Sequence, residues 1–129
     1  MADVNRGNRP LSPHLSIYRR TLTMMMSITH RITGVGLGVG GVLIVWWFLA
    51  AARGPERFAF ADWLLTSWIG GLVLIGCLAA FWFHFCNGIR HLLWDTGGGM
   101  EVAGLRSQGL AVIIAAGALT VITLIIGWV

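Results

Sequence analysis

Residues 32–52 read ITGVGLGVGGVLIVWWFLAAA, a run without a single charged side chain. The hydrocarbon core of a bilayer is about 30 Å thick, and a helix needs about 20 apolar residues to cross it. Two further apolar stretches, 63–93 and 110–129, also reach this length. None of the three alternates apolar with polar residues, as a strand of a membrane barrel must. The sequence therefore predicts an all-α integral membrane protein with three transmembrane helices in one bundle.

The composition leaves little chain outside these helices. Of the 129 residues, 57% are hydrophobic and only 11% are charged, whereas soluble domains carry about 25% charged residues. We therefore predict a single membrane-anchor domain, 1–129, with a cytoplasmic tail at 1–21 and spans at about 28–52, 63–93 and 108–129. Helix-breaking Arg-Gly-Pro and Thr-Gly-Gly-Gly sequences follow the first and second spans, at 53–55 and 96–99.

The distribution of basic residues predicts the orientation. Five arginines precede or open the first span, namely Arg6, Arg9, Arg19, Arg20 and Arg31, and the first connecting loop has two. Cytoplasmic segments carry the excess of Lys and Arg in membrane proteins, so we expect the N-terminus in the cytoplasm. Since no transit-peptide pattern precedes Arg9, a bacterial inner membrane is favoured over a mitochondrial one.

A stripe of polar residues lies near the end of the second span. At 100° per helical residue, His84, Gly88, His91 and Asp95 fall within about 60°. Ionisable residues in a membrane segment are costly and indicate a functional site. A haem needs a neutral imidazole nitrogen directed at iron, and a glycine one turn away leaves room for the edge of the haem ring. His84 is thus a candidate axial ligand, although a buried histidine bonded to a neighbouring helix remains the alternative.

His91 lies about 10 Å further along the helix than His84, too far to bind the same iron from the same side. If His84 binds the iron, we expect His91 near the haem propionates or the membrane surface. Because a six-coordinate haem needs a second axial ligand, and His30 is poorly placed for it, we expect a second chain to supply that ligand.

A second polar cluster opens the first span and contains Ser27, His30 and Arg31. A hydroxyl and a guanidinium on one helix face suit a carbonyl oxygen or a carboxylate. Arg31 has an alternative role as an interfacial anchor. The start of the first span and the end of the second lie on the same membrane side, so the two clusters are expected to form one site.

Five glycines pattern the first span. Gly34, Gly38 and Gly41 share one face, and Gly36 and Gly40 form a second pair. Glycines at this spacing let membrane helices approach closely. Most of them are interpreted as packing residues, while a flat cofactor edge lying on a glycine face is the functional alternative.

Other chemistries find no support in the sequence. It contains no nucleophile elbow, phosphate loop or zinc-protease motif. Three spans without a broken helix also do not favour a transporter.

Three motifs together resemble those of the cytochrome b556 subunits of succinate dehydrogenases. They are RPLSPHLxIYR at 9–19, SxxHRxTG at 27–34 and HxxxGIRHLxxD at 84–95, in the order found in that family. The resemblance implies a membrane anchor of a four-subunit succinate:quinone oxidoreductase, which binds haem b and ubiquinone and is not catalytic alone. The implied partners are a flavoprotein with FAD, an iron–sulfur protein, and a second membrane anchor that supplies the other haem ligand.

The resemblance also implies roles for single residues. His84 corresponds to the axial ligand of haem iron. The others are near-haem or propionate-binding residues (His30, Arg31, His91), quinone-binding residues (Ser27, Arg31) and a candidate for proton delivery (Asp95). An anchor of a quinol:fumarate reductase and a structural anchor without cofactors are the two alternatives.

Overall fold

The structure is a computed structural model that describes residues 10–128. Its helices are α1 (Leu22–Ala52), α2 (Pro55–Thr66), α3 (Trp68–Asp95) and α4 (Leu105–Trp128), with a 3-10 turn at Val102–Gly104. Within this part of the chain there is no strand. The predicted tail at 1–21 falls partly outside the described residues, as do Arg6 and Arg9.

Helix α1 begins earlier than the predicted residue 28. Thr21 caps it, and the Thr21 hydroxyl accepts a hydrogen bond from the backbone N–H of Met24 at 3.4 Å. Its 31 residues correspond to about 46 Å of helix, more than the hydrocarbon core requires. The helix ends at Ala52, where Gly54 takes a φ of 112° and Pro55 opens α2.

The second predicted span, 63–93, contains a break in the helix that its apolar length does not predict. Ser67 leaves the helical conformation with a ψ of 160°, and its hydroxyl accepts a hydrogen bond from the N–H of Gly70 at 3.1 Å. A side chain at Gly70 would overlap the carbonyl oxygens of Leu64 and Leu65. Residues 63–66 therefore belong to α2, and α3 starts at Trp68 and continues to Asp95.

Helix α3 lies between α1 and α4 and is antiparallel to both. Towards α1, Gly40 approaches the sulfur of Cys77 on α3. Towards α4, the indole N–H of Trp82 donates a hydrogen bond to the Thr123 hydroxyl at 3.0 Å. Gly36, Gly38 and Gly41 of the predicted packing faces have open space around them within this chain.

Few apolar side chains are buried within the chain. Among the side chains that the structure describes, the buried apolar ones are Met26, Ala50, Ala61, Val112 and Ala116, and most of the large aliphatic and aromatic side chains face outward. Three helices are long and apolar enough to cross a membrane, at Leu22–Ala52, Trp68–Asp95 and Val102–Gly127. Lipid solvates such outward faces. The predicted all-α fold with three membrane-spanning helices is therefore confirmed.

Candidate functional site

Three histidine rings meet where the first turns of α1 face the last turns of α3. The His30 ring stacks on the His84 ring, with centroids 3.8 Å apart and planes 8° from parallel. The centroid of the His91 ring lies 5.0 Å from that of His30, with the two planes tilted by 50°. Of the two polar clusters that were expected to form one site, the structure brings together His30 of the first with His84 and His91 of the second.

Two glycines let the histidines approach the opposite helix. A Cβ atom at Gly34 of α1 would lie 2.9 Å from Cε1 of His84 on α3. A Cβ atom at Gly88 of α3 would lie 3.9 Å from Cε1 of His30 on α1. The predicted role of Gly88, to leave room for a haem edge, stays a prediction, and the glycine that packs against the His84 ring is Gly34.

Hydrogen bonding fixes the tautomer of His84. Its Nδ1 lies 3.0 Å from the backbone oxygen of His30 and 3.2 Å from the hydroxyl of Thr33. A carbonyl oxygen only accepts hydrogen bonds, so Nδ1 carries the hydrogen and Nε2 keeps its lone pair. Metal-binding histidines characteristically donate their second N–H to such a backbone oxygen, which fixes ring orientation.

The geometry of His84 fits haem binding. Its Nε2 has the free lone pair that an iron ligand needs, and this nitrogen makes no hydrogen bond to any described residue. Within residues 10–128, no group of three or more His, Cys, Asp or Glu side chains is arranged to hold a metal ion by itself. The supporting role of Thr33 was missed, because a threonine in an apolar helix gives no sequence signal of its partner.

A buried polar network extends from the histidines towards α4. Asn87 is fully buried and Arg90 is only 4% exposed. One terminal nitrogen of Arg90 donates to Oδ1 of Asn87 at 3.4 Å, and the other donates to the backbone oxygen of Leu105 at 3.4 Å. The guanidinium carbon also lies 3.9 Å from the centre of the Trp94 ring, a favourable cation–π distance.

This network was only partly foreseen. The motif at 84–95 includes Arg90, but no role was predicted for Asn87. The signal was an amide among apolar residues, but the sequence does not show which groups meet it. In the structure, Nδ2 of Asn87 lies 3.2 Å from Nε2 of His91, so the network reaches the histidine cluster directly.

The loop after α3 is held next to this network. The indole N–H of Trp94 donates to the backbone oxygen of Gly99 at 3.2 Å and to Oε1 of Gln108 at 3.1 Å. The amide nitrogen of Gln108 donates to the same Gly99 oxygen at 2.9 Å. These bonds tie the ends of α3 and α4 together.

Ser27, Arg31 and Asp95 lie at the same end of the bundle but outside the histidine cluster. Ser27 is half-buried, while Arg31 and Asp95 are exposed. The residue before Ser27, Met26, receives a hydrogen bond from Arg90 through its sulfur at 3.9 Å, which places this turn of α1 beside the end of α3. The predicted roles of these three residues stay predictions.

Known proteins resemble the chain along nearly its whole length. Residues 5–124 match the family described as succinate dehydrogenase/fumarate reductase transmembrane subunit. The succinate dehydrogenase cytochrome b556 subunit of Paracoccus denitrificans is 49% identical and aligns over 100% of this chain and 99% of its own length. The cytochrome b556 subunit of Rickettsia felis is 34% identical over 90% of both chains.

A mitochondrial relative extends the comparison. The mitochondrial succinate dehydrogenase cytochrome b560 subunit of Sus scrofa is 42% identical over 84% of this chain and 65% of its own. The resemblance carried by the three sequence motifs is thereby confirmed. The chain belongs to the succinate dehydrogenase/fumarate reductase transmembrane subunit family.

Proposed function

We propose that this chain binds haem b and ubiquinone as a membrane anchor of a succinate:quinone oxidoreductase. Electrons from succinate would reach the quinone through the iron–sulfur subunit of the complex. The observation that carries the proposal is the bond between Nδ1 of His84 and the His30 backbone oxygen, 3.0 Å long. This bond keeps the hydrogen on Nδ1 and leaves the lone pair of Nε2 free to bind iron, at the end of the bundle where the polar residues lie.

The residues around His84 hold the imidazole in place. His30 covers one face of the ring, and the Thr33 hydroxyl lies beside Nδ1. When bound, haem b supplies reversible one-electron chemistry at its iron, while the protein supplies position and electrostatics. His30, Arg31 and His91 are the residues we assign to the haem edge and its propionates.

Ser27 and Arg31 are assigned to the quinone. A hydroxyl donates a hydrogen bond to a quinone carbonyl oxygen, and a fixed cation stabilises negative charge that develops there. Since α1 is longer than the hydrocarbon core is thick, its first turns lie near an interface. A lipid-soluble substrate and protons from water both reach this depth, and Asp95, exposed at the end of α3, is the candidate for proton delivery.

The partners follow from the same proposal. A second membrane subunit supplies the other haem ligand, and a flavoprotein with FAD and an iron–sulfur protein sit at the cytoplasmic face, where the N-terminus lies. The membrane is the bacterial inner membrane. The chain acts as a subunit of this enzyme complex and not as an enzyme alone. Because the matched family also includes fumarate reductases, a quinol:fumarate reductase anchor is the second candidate.

Two electron acceptors separate quinone chemistry from assembly. In the purified complex, Ser27→Ala and Arg31→Leu should slow succinate-dependent ubiquinone reduction at least about tenfold, or about 1.4 kcal/mol. Succinate oxidation by a soluble artificial acceptor should stay at the wild-type rate. Ser107→Ala and Arg53→Leu, both at exposed positions, serve as matched controls. Equal losses with both acceptors would contradict the quinone assignment and indicate an assembly defect.

A comparison of the reverse reaction tests the second candidate. The proposal predicts faster succinate oxidation with ubiquinone than fumarate reduction with menaquinol. Faster fumarate reduction would favour the quinol:fumarate reductase.

A further inference from the structure

The neighbours of Asn87 determine which end of its buried amide is the oxygen and which is the nitrogen. The guanidinium of Arg90 has only hydrogen-bond donors, so the amide atom 3.4 Å from it must be the oxygen. The amide nitrogen then faces Nε2 of His91 at 3.2 Å. Because an amide nitrogen only donates, Nε2 of His91 must accept with its lone pair.

This chain of donors determines where His91 carries its hydrogen. A neutral imidazole has one N–H and one acceptor nitrogen. With Nε2 accepting from Asn87, the hydrogen resides on Nδ1. His91 thus has the same tautomer as His84, but a side-chain amide sets it instead of a backbone oxygen.

Several contacts hold Arg90 in a fixed position, from which it orients the Asn87 amide. It is 4% exposed and is held by the Leu105 backbone oxygen, the Met26 sulfur and the Trp94 ring. Asn87 is fully buried, so water cannot replace either of its partners. A reversed amide would place its NH₂ group against the guanidinium donors and lose the buried hydrogen bond from Arg90.

We propose that Asn87, oriented by Arg90, is a positioning residue that keeps His91 as an Nδ1–H donor for an oxygen acceptor at the haem and quinone site. The acceptor is a haem propionate or a quinone carbonyl. This inference rests on the proposed function, whereas the tautomer itself can be measured independently of haem and quinone chemistry.

Asn87→Asp is the most direct test because it preserves the shape of the side chain. A carboxylate accepts from Arg90 as the amide does, but it also needs a hydrogen on Nε2 of His91. The reduced complex is prepared with 15N-labelled histidine, and the His91 signals are identified by their loss in His91→Gln. We expect an unprotonated Nε2 in the wild type and a protonated Nε2 in Asn87→Asp.

A second variant keeps the test valid if the aspartate prevents assembly. Arg90→Gln replaces the donor-only guanidinium by an amide that can face Asn87 with either end. We expect His91 signals from both tautomers in this variant. Thr123→Val is the matched control, because it removes a hydrogen bond between α3 and α4 away from the site, and its His91 signals should equal those of the wild type.

Two functional measurements identify the acceptor. If it is a haem propionate, Asn87→Asp shifts the haem midpoint potential and leaves the KM for ubiquinone unchanged. If it is a quinone carbonyl, the KM rises severalfold at an unchanged potential. Oxidation of succinate by a soluble acceptor reports assembly in each case.

Three results would overturn the proposal. A protonated Nε2 of His91 in the wild type would refute the assigned tautomer. An unprotonated Nε2 in Asn87→Asp would show that Asn87 does not set it. A changed tautomer with an unchanged midpoint potential and KM would show that the His91 donor does not serve the site. Loss of haem in all variants, with the expected tautomers still observed, would contradict the proposed function and not the role of Asn87.

Discussion

Replacing Gly34 by alanine tests how the histidine site is built. The new Cβ atom would lie 2.9 Å from Cε1 of His84 and 3.5 Å from its Nδ1. Favourable carbon–carbon contacts begin at about 3.5 Å, so the first distance is about 0.6 Å too short. The imidazole is rigid, and its Nδ1 is anchored to the His30 backbone oxygen at 3.0 Å. Either α1 must move away or the ring must turn and lose that bond.

The expected cost falls on haem binding more than on folding. Overpacking of this kind costs about 1–3 kcal/mol, and loss of one hydrogen bond costs about 1 kcal/mol. Alanine in place of a helical glycine returns about 0.5–1 kcal/mol of helix stability. The helix term acts on folding with and without haem, so it does not change haem affinity. We expect a loss of about 1–3 kcal/mol at the haem site, which corresponds to an affinity lowered about 5- to 150-fold.

The assay is a titration of haem into the haem-depleted complex, followed by its visible spectrum. Gly36→Ala and Gly38→Ala are matched controls on the same helix, because a Cβ atom at either position meets no atom of residues 10–128 within 4 Å. These two glycines point to nearly opposite faces, so a partner subunit cannot press equally on both. Wild-type haem affinity in Gly34→Ala would refute the assigned packing of His84 against α1.

Two further glycines make predictions about the stability of the assembled complex, measured by thermal unfolding in detergent. Gly109→Ala should cost about 1 kcal/mol of stability, since its Cβ atom would lie 2.8 Å from the sulfur of Met26 and the flexible methionine side chain adapts. Gly117→Ala should leave stability unchanged because that position has open space. Equal effects of the two variants would contradict the packing of α4 on α1. Gly70→Ala should cost at least about 3 kcal/mol of stability, because its Cβ atom would overlap the backbone oxygens of Leu64 and Leu65, which cannot move aside. Gly71→Ala, also in open space, should leave stability unchanged. A stable Gly70→Ala complex would contradict the break before α3.

The helical architecture could largely be predicted from the sequence because lipid imposes simple rules. Apolar length predicted the three spans, and the Arg-Gly-Pro sequence at 53–55 predicted the end of α1. The break at Ser67 could not be predicted in this way. It depends on one serine hydroxyl capping a helix and on one glycine that tolerates neighbouring carbonyls, and both residue types also occur inside membrane helices.

The candidate site shows a similar division. The helical stripe selected His84 and His91, and topology placed His30 near them. The hydrogen-bond partners that hold the histidine rings could not be predicted, because they depend on how the packed helices are rotated about their axes. The Thr33 hydroxyl and the amide of Asn87 are examples, since neither residue type announces its partner in a sequence.

The proposed function depends on the binding of haem iron by Nε2 of His84. The most direct measurement is the visible spectrum of the purified, reduced complex with His84→Ala, compared with the wild type and with His14→Ala. His14 is exposed and precedes α1, so its replacement controls for the loss of any histidine. We expect the six-coordinate low-spin spectrum to be lost in His84→Ala and retained in His14→Ala. An unaltered six-coordinate spectrum in His84→Ala would contradict this assignment.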